Sequence, residues 1–136
     1  MSIQIMAESI VLHFANTEID KVEKAFMEFS EVIGNTYYVP SKNGYLIQIY
    51  PYEGYLKEYD SSEKLEVASH LGSEPEFSFC VEIRRLYQNE AFNITKILIM
   101  VKLEGFNFVV DDNSDKIWTK MEIMNNQNSF LSKYSH

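Results

Sequence analysis

The sequence predicts an α+β fold: one antiparallel or mixed sheet with two helices packed on one face, arranged as strand-helix-hairpin twice over in the split β-α-β manner. Three observations point there. Ile10, Leu12 and Phe14, and again Phe77, Phe79, Val81 and Ile83, recur at every second residue, the period of a strand with one buried face. Two other stretches recur at three- and four-residue steps, the period of an amphipathic helix. Turn-forming clusters at Pro40–Gly44 and Asp111–Asp115 separate β-prone runs, and hairpins force antiparallel neighbours.

Taken in order, the first strand runs from Met6 to Phe14. Thr17 then offers an N-cap oxygen, and Ile19, Val22, Phe26, Phe29 and Ile33 form an apolar stripe that Gly34 ends, predicting one helix across the stretch. Its other face carries Glu18, Glu23, Glu28, Glu31, Lys21 and Lys24, as a solvated surface does. From Thr36 the chain turns β-branched and tyrosine-rich, with Asn43-Gly44 closing a hairpin. In its second strand Tyr45, Ile47 and Ile49 alternate with Leu46, Gln48 and Tyr50, so both faces are apolar enough to be covered. Residues 51 to 76 carry no clear period: Leu65, Val67 and Leu71 suit a short strand or a turn of helix, punctuated by Gly72 and Pro75.

Phe77 to Arg84 is a half-buried strand. Asn89 caps a second helix whose stripe is Ala91, Ile94, Leu98 and Val101, widened by Ile97 and stopped by Gly105. Phe106–Val110 and Lys116–Ile123 flank the acidic turn as a closing hairpin. Residues 1–124 thus form one domain, and the polar run from Asn125 begins a tail expected to fray through residue 136.

Composition narrows the function. Twenty acidic residues against twelve basic ones give a net charge of −8, which opposes neutralising a phosphate backbone and so argues against direct nucleic-acid binding. The same charge steers the chain toward a basic partner. One cysteine, Cys80, permits no internal disulfide and fits a reducing compartment. Met1–Met6 lacks the basic and apolar regions of a signal peptide, and the run Ile97–Val101 is too short to span a bilayer, so a cytoplasmic location is expected.

Catalytic signatures are missing. Asp111, Asn113, Asp115 and Glu122 fall at positions 1, 3, 5 and 12 of a calcium loop, but Lys116 stands where that loop needs glycine, so the run reads as an Asx-rich turn and no metal is expected. His13, His70 and His136 show no ligand spacing, and His13, alternating with apolar neighbours, reads as a satisfied core or edge histidine. Cys80 reads as a buried, inert thiol. Arg84 and Arg85 suit ion pairs with Glu82, Glu90 or the acidic turn. Asn93-Ile94-Thr95 matches a glycosylation acceptor only by coincidence with a helix. No glycine-rich phosphate loop or nucleophile elbow is present, so neither an enzyme nor a cofactor is expected.

The aromatics are unevenly spread instead. Seven of nine tyrosines lie between Tyr37 and Tyr59, a stretch without phenylalanine, which sets that region apart from the phenylalanine-bearing core segments. Tyrosine pairs an apolar ring with a polar tip and suits contact faces. Within the stretch Tyr52, Glu53, Tyr55, Glu58, Tyr59 and Asp60 interleave rings with acids, and Asp111 and Asp112 add acids from the turn. These eight residues are the candidate surface for a basic, partly apolar partner.

Leu71-Gly72-Ser73-Glu74-Pro75, the aromatic strand ending in Ile83-Arg84-Arg85, the helix after it and the hairpin Phe106-Asn107-Phe108-Val109-Val110 follow one another in an order that resembles one α+β group of immunity proteins from bacterial polymorphic-toxin and contact-dependent growth inhibition systems. The resemblance covers about residues 71 to 120. It implies a non-enzymatic, cytosolic protein that binds one cognate toxin domain and blocks its active site or substrate groove; the acidic balance would suit a basic nuclease, and a monomer rather than a homo-oligomer is expected. Leu86-Tyr87 stands where that group has charged residues, and no contact residue carries over. The other function compatible with the sequence is a small-molecule-sensing or structural module that dimerises through the apolar faces of Tyr45–Tyr50.

Overall fold

A computed structural model describes residues 7–84, 88–114 and 116–131. The expectations that touch Met6, Arg85, Leu86, Tyr87, Asp115 and His136 lie outside the described residues. The fold is α+β, with seven strands in one antiparallel sheet and five α-helices among the described residues.

Strand β5 (Phe77–Arg84) lies at the centre beside β1 (Ala7–Phe14), and the full order is β2-β3-β4-β5-β1-β6-β7. The remaining strands are β2 (Glu31–Ile33), β3 (Thr36–Ser41), β4 (Gly44–Pro51), β6 (Phe108–Asp111) and β7 (Ile117–Thr119). The two halves interlock: the β3–β4 hairpin of the first pairs with β5, and the β6–β7 hairpin of the second pairs with β1. Strand β5 therefore reaches β6 across β1, through helix α4 (Gln88–Ile97), which is a split β-α-β unit.

One face of the sheet carries the alternating residues Ile10, Leu12, Phe14, Ile47, Ile49, Phe79, Val81 and Ile83, all at most 1% exposed. They meet Val22, Ala25 and Phe26 of α1 (Ile19–Met27), Ala91 and Phe92 of α4, and Ile123 of α5 (Lys120–Asn125) in the main core. A second, smaller core on the other face joins Ala15, Val109 and Ile117 to Tyr55 of α2 (Tyr55–Glu58), Val67 and Leu71 of α3 (Ser61–Leu71), and Tyr59 between them. Helices thus lie on both faces, beyond the two that the periodicity identified.

Several boundaries differ from the periodic reading, each for a local reason. The first helix stops at Met27; Ser30 Oγ donates to the Phe26 carbonyl, and Glu31–Ile33 leaves as an edge strand that leaves Ile33 66% exposed. Gly34, with φ of 64°, supplies the left-handed residue that lets Ile33 pair with Thr36 across a two-residue turn. Thr17 does not cap: its hydroxyl donates to the Ala15 carbonyl and accepts from the Asn107 amide, and Glu18 holds the N-cap position. In the second helix the α-geometry gives way to a π-helical turn, Leu98–Lys102. The extra residue per turn rotates the stripe, so Leu98, Ile99 and Leu103 are buried and Val101 is 58% exposed.

The unassigned stretch after Pro51 is helical. Asp60 and Glu63 close a capping box at the start of α3, each side chain meeting the other's backbone amide, and Gly72 ends the helix with φ of 97°. The strand expected at Lys116–Ile123 shortens to Ile117–Thr119 because Thr119 and Glu122 form a second capping box that starts α5. The tail expected from Asn125 is described as far as Leu131, and within that part Phe130 is fully buried edge-on to Trp118 and Leu131 joins the main core; residues 132–136 lie outside the described residues.

Candidate functional site

The second face of the sheet holds most of the polar chemistry. Its register aligns Val11 with Cys80, His13 with Ser78, and Gln48 with Glu82. At the β3–β4 pair the register shifts between Val39 and Pro40, a bulge that a residue lacking an N–H tolerates. The shift breaks the alternation expected for β4: Leu46 packs against the main core, and Tyr45 turns to the second face, where its ring meets Tyr38 and its hydroxyl donates to Glu82 at 3.2 Å. Gln48 Nε2 also donates to Glu82, and Tyr50 reaches it at 3.5 Å. The Arg84 guanidinium stands 5.2 Å from the centre of the Tyr45 ring. Tyr38, Tyr45, Gln48, Tyr50 and Glu82 remain half-buried, because α2 and α3 pack over β1, β6 and β7.

Under α2 and α3 lies a buried hydrogen-bonded chain. His13 is fully buried, with Nδ1 2.6 Å from Ser78 Oγ and Nε2 2.9 Å from the Tyr59 hydroxyl, and Tyr59 donates in turn to Asp111. Asp111 also accepts from the Asn113 amide and so acts as an acceptor at both oxygens. The direction of every proton follows from that end. Tyr59 gives its proton to Asp111, so its oxygen accepts from His13 Nε2–H; Nδ1 is then bare and accepts from Ser78 Oγ–H. Burial lowers the His13 pKa to about 4, consistent with a neutral ring. Burial and the Asp111 carboxylate both push the Tyr59 phenol up. Tyr52, Tyr55 and Tyr59 surround the imidazole edge-on, at ring-centre distances of 6.5, 5.5 and 5.3 Å.

Beside this chain a groove of about 480 Å³ opens to solvent. Pro51, Tyr52, Phe77 and Phe79 give it apolar walls, Ser78 lies at its base, and Glu53, Glu74 and Glu76 rim it; among the described residues no lysine or arginine lines it. Ile19 and Leu56 stand at its mouth, 42% and 73% exposed. The Tyr52 hydroxyl donates to Glu58 at 2.5 Å, Tyr55 donates to the Lys64 carbonyl at 3.3 Å, and Glu76 accepts from the Asn16 amide at 3.0 Å.

The eight residues singled out from sequence do not share one outward face. Tyr52, Glu53 and Tyr55 meet at the groove, but Tyr55 and Tyr59 are buried, as 8% and 9% exposure shows, because they roof His13. Asp112 is buried as well: its carboxylate accepts from the Ser114 and Lys116 amides and from Trp118 Nε1, which fixes the turn. Asp111 serves the buried chain, and Asp60 caps α3 from an exposed position. Glu53 and Glu58 are exposed. The groove residues Ile19, Leu56, Glu74, Glu76 and Phe77 escaped the sequence reading. Glu74-Pro75-Glu76, two acids astride a proline at the mouth of an apolar strand, was the available signal.

Cys80 is buried, and burial pushes its thiol pKa up, so it is no ready nucleophile. Among the described residues no group of three histidine, cysteine or carboxylate side chains is placed to hold a metal ion, and no helix is long and apolar enough to cross a membrane. Comparison with protein-family profiles, with characterised proteins and with solved structures found no match to this chain.

Proposed function

We propose that this protein is a non-enzymatic inhibitor of the immunity type, which binds one cognate bacterial toxin domain in the cytosol and blocks its working surface. The observation that carries the reading is the groove: apolar walls, three carboxylates at the rim and no cation among the described residues, on a chain of net charge −8. Such a surface suits a basic, partly apolar protein segment, as a nuclease domain would present. The tyrosines of β3 and β4 stand on the second face with rings held in place by hydrogen bonds, so ordering them on binding costs little entropy. The Ser78–His13–Tyr59–Asp111 chain is read as structural. Its serine is only 6% exposed and every proton in it is already committed, so it fastens α2 and α3 to the sheet rather than activating a nucleophile.

The test is capture of the toxin domain encoded beside this chain, measured by calorimetry. Glu53→Lys with Glu74→Lys, both exposed, is expected to weaken binding about 30-fold or more, as loss of a hot spot of about 2 kcal/mol does. Unchanged affinity would overturn the assignment of the groove. The half-open tyrosine face also favours a second reading, a module that dimerises through its sheet. A concentration-dependent dimer in sedimentation, abolished by Tyr45→Arg, would support that one instead.

A further inference from the structure

Resting on the partner-binding reading of the same groove, we infer that its occupant is a single arginine side chain projected by the partner. Of the twelve described residues lining the groove, only Tyr52, Tyr55 and Ser78 own a side-chain donor. All three are spent inside the protein: Tyr52 on Glu58, Tyr55 on the Lys64 carbonyl, and Ser78 on His13 Nδ1. The last of these is fixed from afar, because Asp111 sets the direction of protons through Tyr59 and His13. What the side chains offer an occupant is therefore acceptors alone, the carboxylates of Glu53, Glu74 and Glu76.

A group matching that set donates many hydrogen bonds, accepts none and carries positive charge. Guanidinium and ammonium both qualify, and the walls choose between them. Tyr52 and Phe77 line the groove with aromatic carbon, Phe77 with one ring face already stacked on Phe14, and a weakly hydrated, planar guanidinium loses less water on entering such an apolar cleft than a strongly hydrated ammonium does. Five donors in a planar fork also serve carboxylates on separate elements better than three donors on one atom, and here Glu53 follows β4 while Glu74 and Glu76 precede β5.

Amide-detected NMR with argininamide as the probe tests this, with lysinamide and norleucinamide in parallel. Saturable shifts at Tyr52, Glu53, Glu76 and Phe77, about fivefold tighter for argininamide than for lysinamide and absent for norleucinamide, are expected. The exposed triple variant Glu53→Gln, Glu74→Gln, Glu76→Gln should abolish them while its spectrum stays folded. Shifts that do not saturate, that lysinamide matches, or that persist in the triple variant would overturn the inference. Its failure is separable from that of the wider reading: toxin capture with no response to argininamide sinks only the arginine socket, and a response to argininamide without toxin capture sinks only the partner.

Discussion

His13 should make this fold acid-sensitive well above the range where carboxylates titrate. In the unfolded chain the imidazole has its ordinary pKa of 6.5, and in the fold burial lowers it to about 4. Between those values the unfolded state binds a proton that the native state refuses, so stability falls as pH falls. The contribution is fully present above pH 6.5 and is lost progressively toward pH 4. Each pH unit inside the window removes a little over 1 kcal/mol, so the loss is roughly 2–3 kcal/mol by pH 4.5 and levels off at about 3 kcal/mol below pH 4. The surroundings explain why the native state resists. The ring faces Ser78, Tyr52, Tyr55 and Tyr59, and Asp111 touches it only through the Tyr59 hydroxyl, so no carboxylate meets a new imidazolium directly. Urea unfolding at half-unit steps from pH 7.5 to 4.5 measures the slope, and the His13 ring resonance in native protein measures the folded pKa. A His13 ring titrating between about 6 and 7, or stability flat within about 0.5 kcal/mol down to pH 5, would refute the reasoning.

Tyr59→Phe keeps the ring that packs on Val67 and Leu71 but strands the buried His13 N–H and removes a donor from Asp111, so a loss of about 2–3 kcal/mol is expected by urea titration. The π-helical turn makes opposite forecasts for two residues that periodicity placed on one stripe: Val101→Lys should change stability by less than about 0.5 kcal/mol, and Leu98→Ala should cost about 2–5 kcal/mol. Phe130→Ala should lower stability by about 3–5 kcal/mol, a value that a frayed terminus would not show.

Strands were the legible part of this chain, because one-sided burial writes a two-residue period directly: Ile10, Leu12 and Phe14 are all fully buried, and so are Val81 and Ile83. Helix ends were not, because period and termination are separate signals. Ile33 keeps the spacing of the first helix yet belongs to an edge strand, and nothing in a spacing rule counts the hydroxyl of Ser30 that closes the helix four residues after Phe26. Helix α3 was hidden for the opposite reason. Its apolar stripe is narrow, with Leu65 72% exposed beside a buried Val67, but the Asp60-Ser61-Ser62-Glu63 capping box marked its start. The candidate site was partly legible: tyrosine clustering located the right stretch, while which rings face outward depended on the bulge at Leu46 and on where α2 and α3 come to rest.

That last dependence has a geometric cause. Seven strands about 4.8 Å apart make a sheet roughly 29 Å wide. An eleven-residue helix is about 16 Å long and, with its side chains, about 10 Å across, so α3 and the single turn of α2 cannot roof the whole second face in any orientation. They cover β1, β6 and β7, where Val109, Ile117 and Ala15 are apolar, and leave β3, β4 and part of β5 without a helix. Residues on that remainder must tolerate water and still fill the pleat. Phenylalanine would expose an apolar sheet to aggregation, and charged residues would leave the strands unpacked. Tyrosine meets both demands, and Glu82 ties the hydroxyls of Tyr45 and Tyr50 to the amide of Gln48, so the rings stand as a fixed surface. The tyrosine-rich stretch therefore does two jobs that sequence alone could not divide: Tyr55 and Tyr59 seal the roofed half around His13, and Tyr38, Tyr45, Tyr50 and Tyr52 dress the open half next to the acidic groove.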